Sequence, residues 1–165
     1  MKEAGATLDD VVRVVVYITD MDDFAAIHEV RGRFFKGARL SRDAEWGIAM
    51  RLDSTARFPY QMTLGAIQDN DLIYQMGKEI ARQSKRLGMH FNFAPVVDVN
   101  NNARNPVINF RSFGEDKYNV AQKGIAYMQG MQDGALLSTA KHFPGHGDTD
   151  TDSHHALPII KHSRE

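Results

Sequence analysis

The sequence predicts an α/β domain whose parallel strands are joined by helical crossovers. Three observations carry that expectation. Short apolar or β-branched runs alternate with longer amphipathic stretches. Glycines and small polar residues sit at the joints between them. The polar clusters come after the strands, which is where parallel α/β folds gather their chemistry.

The elements are taken in chain order. Val11 to Ile18 (VVRVVVYI) is a β-branched run of strand length, interrupted only by Arg13. The next stretch places Phe24, Ile27, Val30, Phe34 and Phe35 three and four residues apart, an amphipathic helical stripe. Asp22 and Asp23 suit its positive N-terminal end, and Gly37 stops it. Ala38 to Glu45 (ARLSRDAE) is polar and has the character of a junction. Pro59 and Gly65 punctuate the residues between this junction and the next helix. Asp69 to Leu87 is the clearest helix, with Leu72, Ile73, Met76, Ile80 and Leu87 along one side. Asp69 or Asn70 can cap it, and Gly88 ends it. His90 to Val99 (HFNFAPVVDV) suits a buried strand with an irregularity at Pro95, which cannot donate to a ladder. Asn100 to Phe113 is a polar loop. Asp116 to Met131 is a further helix through Val120, Ile125, Met128 and Met131, and Ala135 to Ala140 a short strand. Five methionines (50, 62, 76, 89 and 128) read as packing residues.

Composition narrows the function. The 165 residues, 42% hydrophobic and 25% charged, suffice for one packed domain. Lys plus Arg is 20 against 21 Asp plus Glu, so no basic surplus exists for nucleic acid or for a membrane surface. With no cysteine, a disulfide framework, a thiolate nucleophile and a Cys-ligated zinc site are all excluded. No apolar run reaches membrane-spanning length, and the acidic start MKEAGATLDD lacks the apolar core of a signal peptide. A cytoplasmic location is the default expectation.

Chemistry concentrates in Lys141 to His155, which holds four His and three Asp. His142 and His146 are four apart, as in a helical zinc pair. Pro144, Gly145 and Gly147 forbid a regular helix there, so that spacing loses its geometric meaning and no metal is assigned. Asp152 and His154 are two apart on a loop, so the carboxylate can orient the ring and raise its basicity for proton transfer. A solvated acidic loop with incidental histidines is the alternative at this point. Asp43, Glu45, Arg111, Lys141 and His142 form a second polar set able to bond hydroxyls and carboxylates, with Trp46 offering a flat apolar face. Taken singly, each of these also has an ordinary structural reading.

From Asp43 onward, DAEWGIAMRLDST, FPYQMTLGAI, NFAPVVDVN, NPVINFRSFGED and KHFPGHGDTDTDSHHALP resemble the N-terminal barrel domain of glycoside hydrolase family 3, in its β-N-acetylhexosaminidase branch. The resemblance implies a (β/α)8-type barrel, of which about half is present, since a whole barrel takes about 250 residues. It implies hydrolysis of terminal β-linked N-acetylhexosamine with retention through a covalent intermediate. It places Asp43, Arg111, Lys141 and His142 on the sugar in the minus-one subsite. It makes His154 the general acid/base, paired with Asp152. No cofactor is implied. The family's nucleophilic Asp lies on a later strand, beyond Glu165, so weak or absent turnover is expected. Residues 1–42 instead resemble the reactive-intermediate (enamine/imine) deaminase family, with 43–165 the hydrolase-like part. A chimera used as a non-catalytic module is thus the alternative function, and imine deamination a third. Open sheet edges predict self-association; a clean, folded monomer by size exclusion with light scattering would contradict it.

Overall fold

The computed structural model describes residues 40–53 and 55–160, together with Ala26, Glu29, Val30 and Arg33. Those four positions are helical, within the helix expected there. Val30, assigned to its apolar stripe, is exposed. The strand expected at Val11 to Ile18 lies outside the described residues.

Among the described residues the first strand is β1 (Leu40–Arg42), inside the stretch expected to be a polar junction. Its own composition carries no strand signal. It exists because it pairs in parallel with β2 (Met89–Asn92), which in turn pairs in parallel with β3 (Leu137–Ser138). The sheet order is β1-β2-β3, so each strand lies beside the next in sequence.

Between β1 and β2 run α1 (Gln61–Gly65), which the sequence reading treats only as punctuation, and α2 (Asn70–Arg86). Between β2 and β3 runs α3 (Lys117–Asp133). Both long helices begin under an aspartate. Asp69 accepts from the Asp71 N–H, and Asp116 from the Asn119 N–H, each satisfying a donor that has no partner inside the helix. Gly88, at φ 72°, ends α2 in the left-handed region that costs a glycine nothing.

Ile73, Met76 and Ile80 of α2 and Val120, Tyr127 and Met131 of α3 are buried together with Ile48, Leu64, Met89 and Phe113. Leu72 and Leu87, expected on the buried side of α2, are exposed. So is Ile125 of α3, whose buried face runs instead through Lys123, Gly124, Ala126 and Gly130. The reason is close approach of the two helices. A Cβ on Gly130 would stand 2.1 Å from the Tyr74 carbonyl oxygen and 3.1 Å from the Gly77 Cα, so the small residues mark the contact line. Lys123 is buried with its ammonium on the Ile67 carbonyl and the Asn70 side chain, which keeps the α1–α2 turn against α3.

β2 ends at Asn92, before the cis Ala94–Pro95 bond. The irregularity expected at Pro95 is therefore present. Val96 nevertheless has partners on both sides. Gln61 donates to its carbonyl (2.7 Å) and accepts from its N–H (3.2 Å), while the neighbouring backbone bridges to Lys141. Among the described residues no helix is long and apolar enough to cross a membrane.

Candidate active site

Each strand delivers polar residues from its carboxyl end. β1 leads into Asp43 and Glu45. The chain after β2 supplies Asp98 and then Arg111, on a single 3₁₀ turn (Asn109–Arg111). The chain after β3 supplies Lys141, His142 and the loop through His154. Asp43, Glu45, Trp46, Arg111, Lys141, His142 and His154 line one cleft of about 450 Å³. Five of the six residues singled out from sequence thus face the same space. The sixth, Asp152, sits behind His154, with its Oδ1 2.7 Å from the ring Nδ1 and 2.8 Å from the His154 N–H.

Glu45 is the hub. It is 2% exposed, yet it meets Arg111 in a bidentate pair (2.6 and 3.0 Å) and Lys141 at 2.7 Å. Lys141 also reaches Asp43 at 2.5 Å. Burial pushes the Glu45 carboxyl up, but hydrogen bonds and charge from Arg111 and Lys141 outweigh it and leave it below its ordinary value. In return the Glu45 hydrogen bond raises Arg111. The main chain here is fixed from beneath. Asn92 both donates to the Ala44 carbonyl and accepts from its N–H, and the buried Tyr127 hydroxyl donates to the Glu45 carbonyl.

A second hub is Asp98, 1% exposed. Its Oδ2 lies 2.7 Å from His142 Nδ1 and accepts the His142 N–H, while Oδ1 accepts the His146 N–H. Burial raises this carboxyl and the histidine contacts lower it, with a net shift downward. An ionised Asp98 fixes the tautomer of His142: Nδ1 carries the proton, and Nε2 is left for the cleft. The Lys141–His142 peptide is cis. His146 is pushed down by burial.

Asp98 has no named role in the sequence reading, and Glu45 appears there only as one of a polar set. The available signal is a carboxylate embedded in an apolar run, PVVDV, since a buried charge needs a partner. Trp46, half-buried, stands edge-on to Tyr60 at 4.8 Å and near Phe110 at 6.5 Å, so its ring forms one wall of the cleft.

These depressed carboxyls set a pH dependence. A group held below its unfolded value adds stability above that value and loses it as pH falls through the folded one. The ordinary value for Glu45 is 4.5, and Asp98 acts in the same direction from 3.8. His146, also held below its ordinary 6.5, loses its contribution as pH falls past that value, so the melting temperature should decline gently from about pH 7 to 5 and fall steeply below about pH 4. A melt series across that range checks it; equal stability at pH 3 and pH 6 would contradict the buried ion cluster.

A parallel sheet with helical crossovers and a charged cleft at its carboxyl edge define an α/β protein, with the cleft in the position where that class usually binds its ligands. The chain matches the glycosyl hydrolase family 3 N-terminal domain over residues 23–165, and it belongs to that family. The match begins upstream of residue 43, where the sequence reading draws its boundary. It is 40% identical to beta-hexosaminidase A of Pseudoalteromonas piscicida over 142 residues, 86% of this chain and 22% of that protein. Among solved structures, a family 3 beta-N-acetylglucosaminidase from Paenibacillus sp. FPU-7 superposes with a TM-score of 0.72 at 44% identity, over 77% of this chain and 24% of that one. Zinc-bound CbsA from Thermotoga neapolitana superposes with a TM-score of 0.70 at 32% identity, over 77% and 27%. The chain thus spans about a quarter of the length of these relatives.

Proposed function

We propose that this chain carries the sugar-holding and proton-transfer part of a β-N-acetylhexosaminidase site, acting on a terminal β-linked N-acetylhexosamine. The observation that supports it most is convergence. His154, from the loop after β3, lines the same cleft as Asp43 from β1 and Arg111 from the segment after β2.

The roles come from the donors and acceptors. The Asp43 carboxylate accepts from neighbouring ring hydroxyls, while Lys141 and His142 Nε2 bond the same edge of the sugar. Arg111 turns Nε and Nη2 to Glu45 and donates from Nη1 to the Val107 carbonyl, which leaves one N–H of Nη1 for a ligand. Asp152, held below its ordinary value by the His154 backbone N–H and ring, accepts from Nδ1 and leaves Nε2 to protonate the leaving oxygen. A histidine in this role departs from the usual pair of carboxylates.

These roles cover sugar holding and proton transfer, and none of the residues named here is assigned as the attacking carboxylate. Sugar binding is the property to test first. Calorimetry with N-acetylglucosamine should give a weak heat of binding that Lys141→Ala abolishes. Hydrolysis of a nitrophenyl N-acetylglucosaminide, where measurable, should fall about 10²- to 10⁴-fold in His154→Ala. No binding by a folded chain would favour the second reading, a non-catalytic module.

A further inference from the structure

The spacing of His142 and His146 carries no helical geometry, yet the folded loop brings the two rings together, with centroids 5.0 Å apart. Asp98 joins them. Ligand atoms of Asp98, His142 and His146 all lie within 4.8 Å of one another. Proton transfer by His154 gives His146 no task. His146 Nδ1 is buried and has no hydrogen-bond partner among the described residues, although both oxygens of the adjacent Asp98 are occupied. A buried, unpaired ring nitrogen is costly unless something binds it.

We propose that Asp98, His142 and His146 bind a divalent transition metal of zinc's size and ligand preference. Two imidazoles and one carboxylate are a donor set zinc accepts, with its fourth position left to a small ligand such as water. Alkaline-earth ions are excluded by the same chemistry, since they take oxygen ligands. The fit needs one adjustment. Asp98 and His142 are at hydrogen-bond distance, 2.7 Å, and must open to about 3.3 Å, the ligand separation of a tetrahedral site with bonds near 2 Å. The metal replaces the His142 proton. Arg111 and Lys141 nearby oppose the added charge, so the site is a moderate binder released by chelators. That the metal on His142 Nδ1 and the sugar on Nε2 share one ring rests on the proposed function; the metal site itself does not.

The rival site on this chain is the exposed cluster of Asp152, His154 and His155. Cobalt(II) chloride titrated into the whole 165-residue chain should give the intense visible absorption of a four-coordinate ion at one equivalent, and zinc chloride should displace it. His146→Phe should weaken binding at least about tenfold. The double variant His154→Ala, His155→Ala should leave it unchanged. Should His146→Phe fail to fold, histidine ring resonances of the unmutated chain locate the metal. Zinc-dependent shifts at His142 and His146 support the proposal. Shifts confined to His154 and His155, or no binding by either metal, overturn it. Because the readout is metal binding, loss of sugar binding or hydrolysis leaves it separately testable.

Discussion

Replacing Glu45 with alanine should lower the stability of the domain by about 3–5 kcal/mol, a large share of the roughly 5–15 kcal/mol a domain has. The size comes from the groups left behind. Glu45 is buried between Arg111 and Lys141, whose side chains are only 20% and 15% exposed. Without the carboxylate the two cations face each other in a site that excludes most water, with Asp43 and the more distant charge of Asp98 left to balance them. Glu45→Gln keeps the shape and one acceptor, so it should recover part of the loss at neutral pH and flatten the acid limb of the melt. Urea denaturation of the three proteins checks this. A loss under about 1 kcal/mol in Glu45→Ala, the range of an exposed pair, would show that water screens the cluster.

A second large effect is expected at Gly130, and there the sign decides. Glycine in a helix interior is worse than alanine by about 0.5–1 kcal/mol, so Gly130→Ala in an isolated α3 would stabilise. In the folded chain the new methyl would stand 2.1 Å from the Tyr74 carbonyl, which is backbone and cannot rotate away. α2 and α3 would have to separate, opening the packing around Tyr127 and Met131. The expected net result is destabilisation by about 2–3 kcal/mol, the upper part of the range for overpacking. A more stable Gly130→Ala protein would mean that the helix pair is not this close.

The two long helices are legible in the sequence because each carries its own signals: an aspartate at the start, an apolar period and a glycine near the end. β1 is not, because nothing in Leu40–Arg42 prefers a strand until β2 offers hydrogen bonds. The outward turn of Ile125 is equally invisible. Period alone cannot tell a stripe of large residues from the adjacent stripe of glycines that lets two backbones touch. At the site, the motif letters bring out Asp43, Arg111, Lys141, His142, Asp152 and His154, and their convergence is a fact of the fold. Asp98 and the central place of Glu45 stay hidden because their work is to hold other residues, which spacing along the chain does not encode. For His142 and His146 the helical-spacing argument correctly rejects a helix. It says nothing about a loop that turns back on itself around Asp98.

Asn92 reads both the N–H and the carbonyl of Ala44, much as one base reads another. Such a contact is sensitive to length as well as to composition. One residue inserted between Arg42 and Ala44 would shift a different peptide opposite the amide and carry Asp43 and Glu45 out of step with Lys141. Asp53 is exposed and lies outside every strand, so an extra residue beside it can bulge into water and leave its neighbours in place. A library of single-residue insertions should therefore be almost empty of folded members at 42–45 and well populated next to Asp53. The boundary of the cleft-facing segment could be mapped by counting survivors.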